Sequence, residues 1–135
     1  MTCFVLGDSI GVGVAAALPA CHADARVGVS STGFVRTMLH HVSADLVVVS
    51  LGANDSPAGT GRATVPALRR VRAELAARRV VWLVPNVPGE VIRSAIRIVA
   101  AEHADMVLDT APYAGGRLHP TASGYKRIGD IVSSE

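Results

Sequence analysis

The stretch Gly7-Asp8-Ser9 places an acid and a hydroxyl in a tight turn close to the N-terminus, between an apolar run and an Ala-rich segment. A serine between a strand and a helix can expose its hydroxyl, while its backbone N–H stays free at the positive end of the helix. A nucleophile with part of an oxyanion site needs these features. The turn also has a purely structural interpretation, in which Ser9 caps the helix and Gly7 makes the turn.

Two later stretches carry groups that could complete such a site. Gly52-Ala53-Asn54-Asp55 follows the most strand-like run of the chain, and an Asn side-chain amide can donate to a developing negative charge, although these residues also form ordinary turns. His119 is followed by Pro120, just before a predicted helix. No histidine spacing indicates a metal site, so we expect neither metal nor cofactor. The remaining histidines are interpreted as surface or helix-capping residues: His22, His40, His41 and His103.

Strand-like and helix-like segments alternate along the whole chain. The predicted strands cover residues 3–6, 25–30, 45–51, 80–84 and 106–109. The predicted helices cover residues 11–18, 31–41, 64–79, 90–103 and 121–132. This alternation predicts one domain over residues 1–135, with a flavodoxin-like three-layer α/β/α fold around a five-stranded parallel sheet. The candidate residues follow strands, so we expect them at the carboxyl edge of that sheet.

Composition excludes several classes of partner. The 135 residues have a net charge of +2 and only 4% aromatic side chains, and no apolar run approaches the length of about 20 residues needed to span a membrane. We therefore expect neither a nucleic-acid partner nor a membrane. The N-terminal residues lack the features of a secretory signal, so we expect a cytoplasmic protein in which Cys3 and Cys21 stay reduced. The oligomeric state cannot be derived from the sequence.

Four blocks in this order resemble the conserved blocks of the SGNH (GDSL-type) hydrolases. They are Gly7-Asp8-Ser9-Ile10, Gly33, Gly52-Ala53-Asn54-Asp55 and His119-Pro120. The resemblance implies a flavodoxin-like fold and hydrolysis of esters or thioesters through a serine acyl-enzyme. It makes Ser9 the nucleophile and His119 the general base. It also implies an oxyanion hole of the backbone N–H groups of Ser9 and Gly33 with the Asn54 amide, although Gly28 lies near Gly33.

The chain departs from the family at one position. The family usually has an Asp three residues before the histidine, where this chain has Gly116. Such a carboxylate orients the imidazole and stabilises its charged form. Three alternatives remain open: the Gly116 carbonyl orients His119, Asp109 does so from a different position, or the site is weak or inactive.

The short chain leaves little room for a lid, which predicts an open site. The expected substrate is a small-molecule or carbohydrate ester with an acetyl or other short acyl group. A non-catalytic module that binds an acylated ligand is the main alternative. A dinucleotide-binding domain is a weaker one, because Gly11-Val12-Gly13 fits the glycine fingerprint but begins inside the predicted helix.

Overall fold

The computed structural model describes residues 2–57 and 61–134. Its strands are β1 (Cys3–Gly7), β2 (His22–Ala25), β3 (Val42–Ser50), β4 (Leu75–Val84) and β5 (Met106–Asp109). Its helices are α1 (Ser9–Ala17), α2 (Ser31–Thr37), α3 (Gly61–Ala73), α4 (Val91–Glu102) and α5 (Ala122–Ser133), with a 3-10 turn at Ala111–Tyr113. The strands form one parallel sheet in the order β2-β1-β3-β4-β5. This confirms the predicted three-layer α/β/α fold with a five-stranded parallel sheet.

The sheet is buried on both faces because alternate side chains of its central strands point into two separate cores. On β3, Val47 and Val49 pack with helices α2, α3 and α4, whereas Leu46 and Val48 pack with α1 and α5. Both cores are close to fully excluded from solvent. The continuous apolar run of β3 is therefore typical of a central strand.

Two glycines are required by close approaches between elements. Gly7, with φ of +139°, ends β1 so close to β3 that a Cβ would lie 1.8 Å from the Ser50 carbonyl oxygen. Gly13 lies in α1 against the ring of Tyr125 from α5, where a Cβ would come within 2.2 Å of a ring carbon. The Gly11-Val12-Gly13 spacing therefore serves helix packing, and it lies inside α1 instead of in a phosphate-binding loop. This geometry removes the basis for the dinucleotide-binding alternative.

Several predicted boundaries are wrong: the helix predicted over residues 31–41 ends at Thr37, for example, and two further differences have a clear physical reason. β2 covers His22–Ala25 and not residues 25–30, because these four residues pair with β1 despite their polar composition. Residues 75–79, predicted as the end of a helix, form the start of β4 and pair with β3 from Val42 onward. Their Leu, Ala and Arg residues favour helices locally, but tertiary strand pairing overrides that preference.

Cys3 and Cys21 form a disulfide, so the prediction that they stay reduced is wrong for this structure. The bond joins the first residue of β1 to the segment that follows α1. Within the described ranges, no helix has the length and apolar character needed to cross a membrane.

Candidate active site

The candidate site lies where the order of the sheet reverses. The chain leaves β1 toward β2 on one side and then crosses back to place β3 on the other side. Loops that diverge at such a switch point leave a crevice beyond the carboxyl ends of the strands. Ser9 follows β1 and Asn54 follows β3, so both lie at this crevice.

Ser9 and His119 form a hydrogen-bonded pair. The distance between Ser9 Oγ and His119 Nε2 is 2.8 Å, although 110 positions separate the two residues in the chain. Ser9 is the first residue of α1, so its own N–H has no acceptor within the helix. The pair has the geometry in which an imidazole can take the proton of an attacking hydroxyl.

Asp8 holds the turn that presents Ser9. Its buried carboxylate caps α1 by accepting from the N–H groups of Ile10 and Gly11, and its Oδ1 also accepts from Ser50 Oγ at 2.9 Å. Burial raises the pKa of the Asp8 carboxyl, while the hydrogen bonds from Ser50, Gly11 and Ile10 act in the opposite direction. Burial, followed by the charge of Asp8, also raises the pKa of Tyr125 on α5. The Asp8 carboxylate therefore links the end of β1 to β3 and to the first turn of α1, next to the candidate nucleophile.

The loop that carries His119 is held by contacts on either side of the imidazole. Asn86, which follows β4, donates its side-chain amide to the Arg117 carbonyl at 2.9 Å. Pro120 is buried next to His119, and the Thr121 N–H donates to the Tyr113 carbonyl at 3.0 Å. His119 itself is exposed. The loop backbone, and not a carboxylate, therefore sets the position of the ring.

Neither proposed orienting group contacts His119. Over residues 2–57 and 61–134, His119 Nδ1 has no hydrogen-bond partner, and the Gly116 carbonyl does not accept from it. Asp109 Oδ1 accepts from the Ala111 N–H, and its Oδ2 lies 3.7 Å from the Arg97 guanidinium. Gly116 is exposed with φ of +80° and open space around its Cα. The described residues thus contain a Ser–His pair, and none of them forms a hydrogen bond to His119 Nδ1.

The Gly33 N–H, predicted as an oxyanion donor, is engaged in this structure. It donates to Ser30 Oγ at 3.0 Å as part of the N-cap of α2, so it would have to leave this acceptor to bind an oxyanion. Gly28, in the same loop, is exposed with φ of +82°, and its N–H has no partner within the described chain. Asn54 Nδ2 donates one proton to the Val29 carbonyl at 3.1 Å. An Asn amide has two such protons, so the second is free for a ligand.

Asp55 fixes the position of Asn54. Its Oδ1 accepts from the Ser31 N–H at 2.8 Å, and its Oδ2 accepts from the Thr64 hydroxyl at 2.8 Å. These bonds connect the loop after β3 to the first turn of α2 and to α3. Asp55 therefore holds the backbone next to Asn54 in place, as Asp8 holds the backbone next to Ser9.

Sequence reasoning missed Asn86 as a contributor to the site. Its signal was a polar side chain between prolines in Pro85-Asn86-Val87-Pro88, directly after a strand at the functional edge. Arg36 in α2 and Arg117 in the loop before His119 are both exposed, and neither side chain has a hydrogen bond or ion pair within the described chain. No group of three metal-ligating side chains comes together among the residues described.

Comparison with solved structures identifies the fold. A G-D-S-L lipolytic protein from Veillonella parvula superposes with a TM-score of 0.63 at 16% identity, covering 96% of this chain and 94% of that one. The C-terminal catalytic domain of peptidoglycan O-acetyltransferase A from Streptococcus pneumoniae, which carries a methylsulfonyl adduct, gives 0.61 at 15% identity, covering 98% and 90%. The chain therefore has the fold of the SGNH (GDSL-type) hydrolases.

A third similar structure belongs to a carbohydrate esterase whose active site is described as having divergent catalytic and non-catalytic binding functions. It gives a TM-score of 0.64 at 14% identity and covers 97% of this chain and 66% of that one. No protein-family model matches the sequence, and no curated protein matches it. At these identities the likeness establishes the fold, and the activity must be argued from the site.

Proposed function

We propose that this protein is a serine esterase that cleaves carboxylic esters through an acyl-enzyme on Ser9, with His119 as the general base. The observation that carries the proposal is the 2.8 Å contact between Ser9 Oγ and His119 Nε2 at the head of α1. A surface serine needs no imidazole at this distance, whereas a nucleophile does. The SGNH-type fold, with solved structures of a lipolytic protein and of an acetyltransferase, supports acyl chemistry at the same edge of the sheet.

The reaction proceeds in two half-steps. Ser9 Oγ attacks the ester carbonyl carbon and gives its proton to His119 Nε2, and the carbonyl oxygen becomes an oxyanion. The Ser9 N–H and the second N–H of the Asn54 amide donate to that oxyanion. The C–O bond breaks as His119 returns the proton to the leaving alcohol. Water then attacks the Ser9 ester in the same way and releases the acid.

The substrate is a small-molecule or carbohydrate ester. The exposure of His119, and the lack of a carboxylate hydrogen-bonded to it within residues 2–57 and 61–134, favour slow turnover, because a triad acid contributes up to about four orders of magnitude in rate. The open crevice predicted from the length of the chain admits acetyl and other short acyl groups. The protein needs no cofactor in this mechanism.

A binding module for an acylated ligand is the second candidate. Among the described residues no carboxylate forms a hydrogen bond with His119, which favours this candidate. The similar carbohydrate esterase has an active site with both catalytic and non-catalytic binding functions. Binding alone does not require a serine, an imidazole and an oriented amide in one place. The pairing of Ser9 with His119 therefore favours the enzyme.

Hydrolysis of p-nitrophenyl acetate tests the proposal. We expect Ser9→Ala and His119→Ala to lower kcat/KM by at least about three orders of magnitude, because the nucleophile and its base act as a unit. Ser9→Ala should also abolish covalent labelling by a fluorophosphonate.

The matched control is Ser43→Ala, which removes an exposed hydroxyl at the opposite end of β3 and should leave both signals unchanged. Full labelling of Ser9→Ala would show that another residue is the nucleophile. Binding of an acetylated sugar by the wild type without Ser9-dependent turnover of any ester would favour the binding module.

A further inference from the structure

A cavity opens directly beside the Asn54 amide. It has a volume of about 200 Å³ and lies between the N-terminal ends of α2 and α3. Six of its seven lining residues are polar in type, although their apolar atoms contribute most of the surface: Ser30, Thr32, Asn54, Asp55, Ser56 and Thr64, with Ala63 as the seventh. The hydroxyls of Ser30 and Thr64 are already engaged, with the Gly33 N–H and the Asp55 carboxylate respectively. The cavity thus offers space next to the carbonyl-binding position with few unpaired donors to a ligand.

A second depression continues from this cavity along the surface between α2 and α3. It is an open groove of about 310 Å³ with an almost wholly apolar lining: Thr32, Val35, Ala63, Pro66, Ala67 and the stem of Arg70. Thr32 and Ala63 line both depressions, so the two are adjacent. The path runs from a polar start at Asn54 to an apolar end over α3.

The position of His119 decides which half of an ester points toward this path. His119 must return a proton to the leaving oxygen, so the alcohol lies on the His119 side of the carbonyl. His119 precedes α5, which packs with α1 on one face of the sheet. The cavity and the groove lie over α2 and α3, which cover the opposite face. The acyl half of the ester therefore points toward the cavity.

We propose that the groove between α2 and α3 binds the hydrocarbon chain of the acyl group, so that the site prefers medium-chain acyl esters while still accepting short ones. The proposal rests on the serine esterase function given above. An acetyl group reaches only the polar cavity, whereas an octanoyl chain extends across Thr32 and Ala63 onto the apolar lining. Each methylene that leaves water for this lining adds favourable binding free energy.

The test compares p-nitrophenyl acetate, butyrate and octanoate, each below its aggregation concentration. The leaving group is constant in this series, so only the acyl half varies. We expect kcat/KM to rise at least about tenfold from butyrate to octanoate, from four added methylenes partly buried in an open groove. A flat or falling series with Ser9-dependent turnover would overturn the groove proposal and leave the esterase function intact.

Pro66 offers a variant that fills the groove without touching the catalytic pair. It is exposed, lies inside α3 and lines the groove but not the cavity beside Asn54. A proline has no N–H, so replacing it removes no hydrogen bond from the helix. Pro66→Trp should therefore fold, block the groove and remove the octanoate preference, with acetate turnover unchanged.

Pro66→Ala is the matched control, because it removes the proline without adding bulk and should retain the preference. An octanoate preference that survives in Pro66→Trp would show that the chain binds elsewhere and would overturn the proposal. Loss of acetate and octanoate turnover alike in Ser9→Ala, with no Ser9-dependent rate in the wild type, would instead remove the esterase function itself. The two failures are thus distinguishable.

Discussion

The two halves of the Ser–His pair are positioned in different ways. Ser9 lies on a turn whose neighbours are buried: Asp8 caps α1, and Gly7 approaches the Ser50 carbonyl too closely to admit any side chain. His119 lies on an exposed loop that Asn86 and the buried Pro120 hold from either side. The turn that carries the proposed nucleophile is therefore anchored in the core, whereas the proposed base is held by contacts at the surface.

This difference indicates where the site tolerates change. Alterations around Ser9 must disturb packing or a buried carboxylate, so they affect stability before they affect chemistry. Alterations around His119 meet few buried atoms, so they affect the orientation of the ring with little effect on the fold. Three predictions test that division, ordered from the largest expected effect to the smallest.

Removal of the Cys3–Cys21 disulfide should affect stability alone. The bond closes a loop with a sequence separation of 18 around α1, and a crosslink of that size contributes about 3 kcal/mol to the free energy of unfolding. Cys3→Ala with Cys21→Ala should lower that free energy by about this amount in urea unfolding, with kcat unchanged at 25 °C. A fall in kcat in the still folded variant would show that the disulfide, and not the Asp8 cap, sets the position of Ser9.

Loss of the Asn86 amide should instead lower the activity and leave the stability unchanged. Asn86→Ala removes the 2.9 Å hydrogen bond to the Arg117 carbonyl, and we expect kcat to fall about five- to tenfold with KM and Tm little changed. Asn86→Asp has nearly the same shape but no N–H to donate at neutral pH, so it should lose as much. Equal activity of Asn86→Asp and the wild type would mean that this hydrogen bond does not position His119.

Asp109→Asn should have the smallest effect. Asp109 bonds to the Ala111 N–H and faces Arg97, and an amide oxygen can keep the first of these contacts. The pair with Arg97 is partly exposed at 3.7 Å, where such pairs contribute little. We expect kcat/KM for p-nitrophenyl acetate to change less than about twofold. A large loss in a folded variant would restore Asp109 as a displaced third member of a triad.

The sequence was sufficient for the fold class because its strongest signals are those of the core. The apolar β3 run and the amphipathic α4 predicted a buried parallel sheet with covering helices. It was misleading where tertiary pairing overrides local preference. The polar His22–Ala25 segment becomes an edge strand beside β1, and the helix-favouring residues 75–79 extend β4.

The placement of the candidate residues could be predicted in part, and their roles stay predictions. Ser9 and His119 come together, and Asn54 lies beside a cavity, as their positions after strands suggested. The sequence did not show that the Gly33 N–H donates to Ser30 Oγ; that contact is seen only in the structure. Asn86 was missed because its bond to the Arg117 carbonyl spans 31 positions and involves no recognisable motif. Local patterns carry no information about such long-range contacts.

The docking of α5 against α1 also has a consequence for how the protein comes to be made. Tyr125 of α5 packs on Gly13 of α1, and the same C-terminal segment supplies His119 to a serine 110 positions earlier in the chain. A nascent chain that has not yet released α5 from the ribosome contains the hydroxyl without its base. Under the proposed function, reactivity therefore begins only once α5 has docked on α1, and a truncation that removes α5 together with the His119 loop should abolish it.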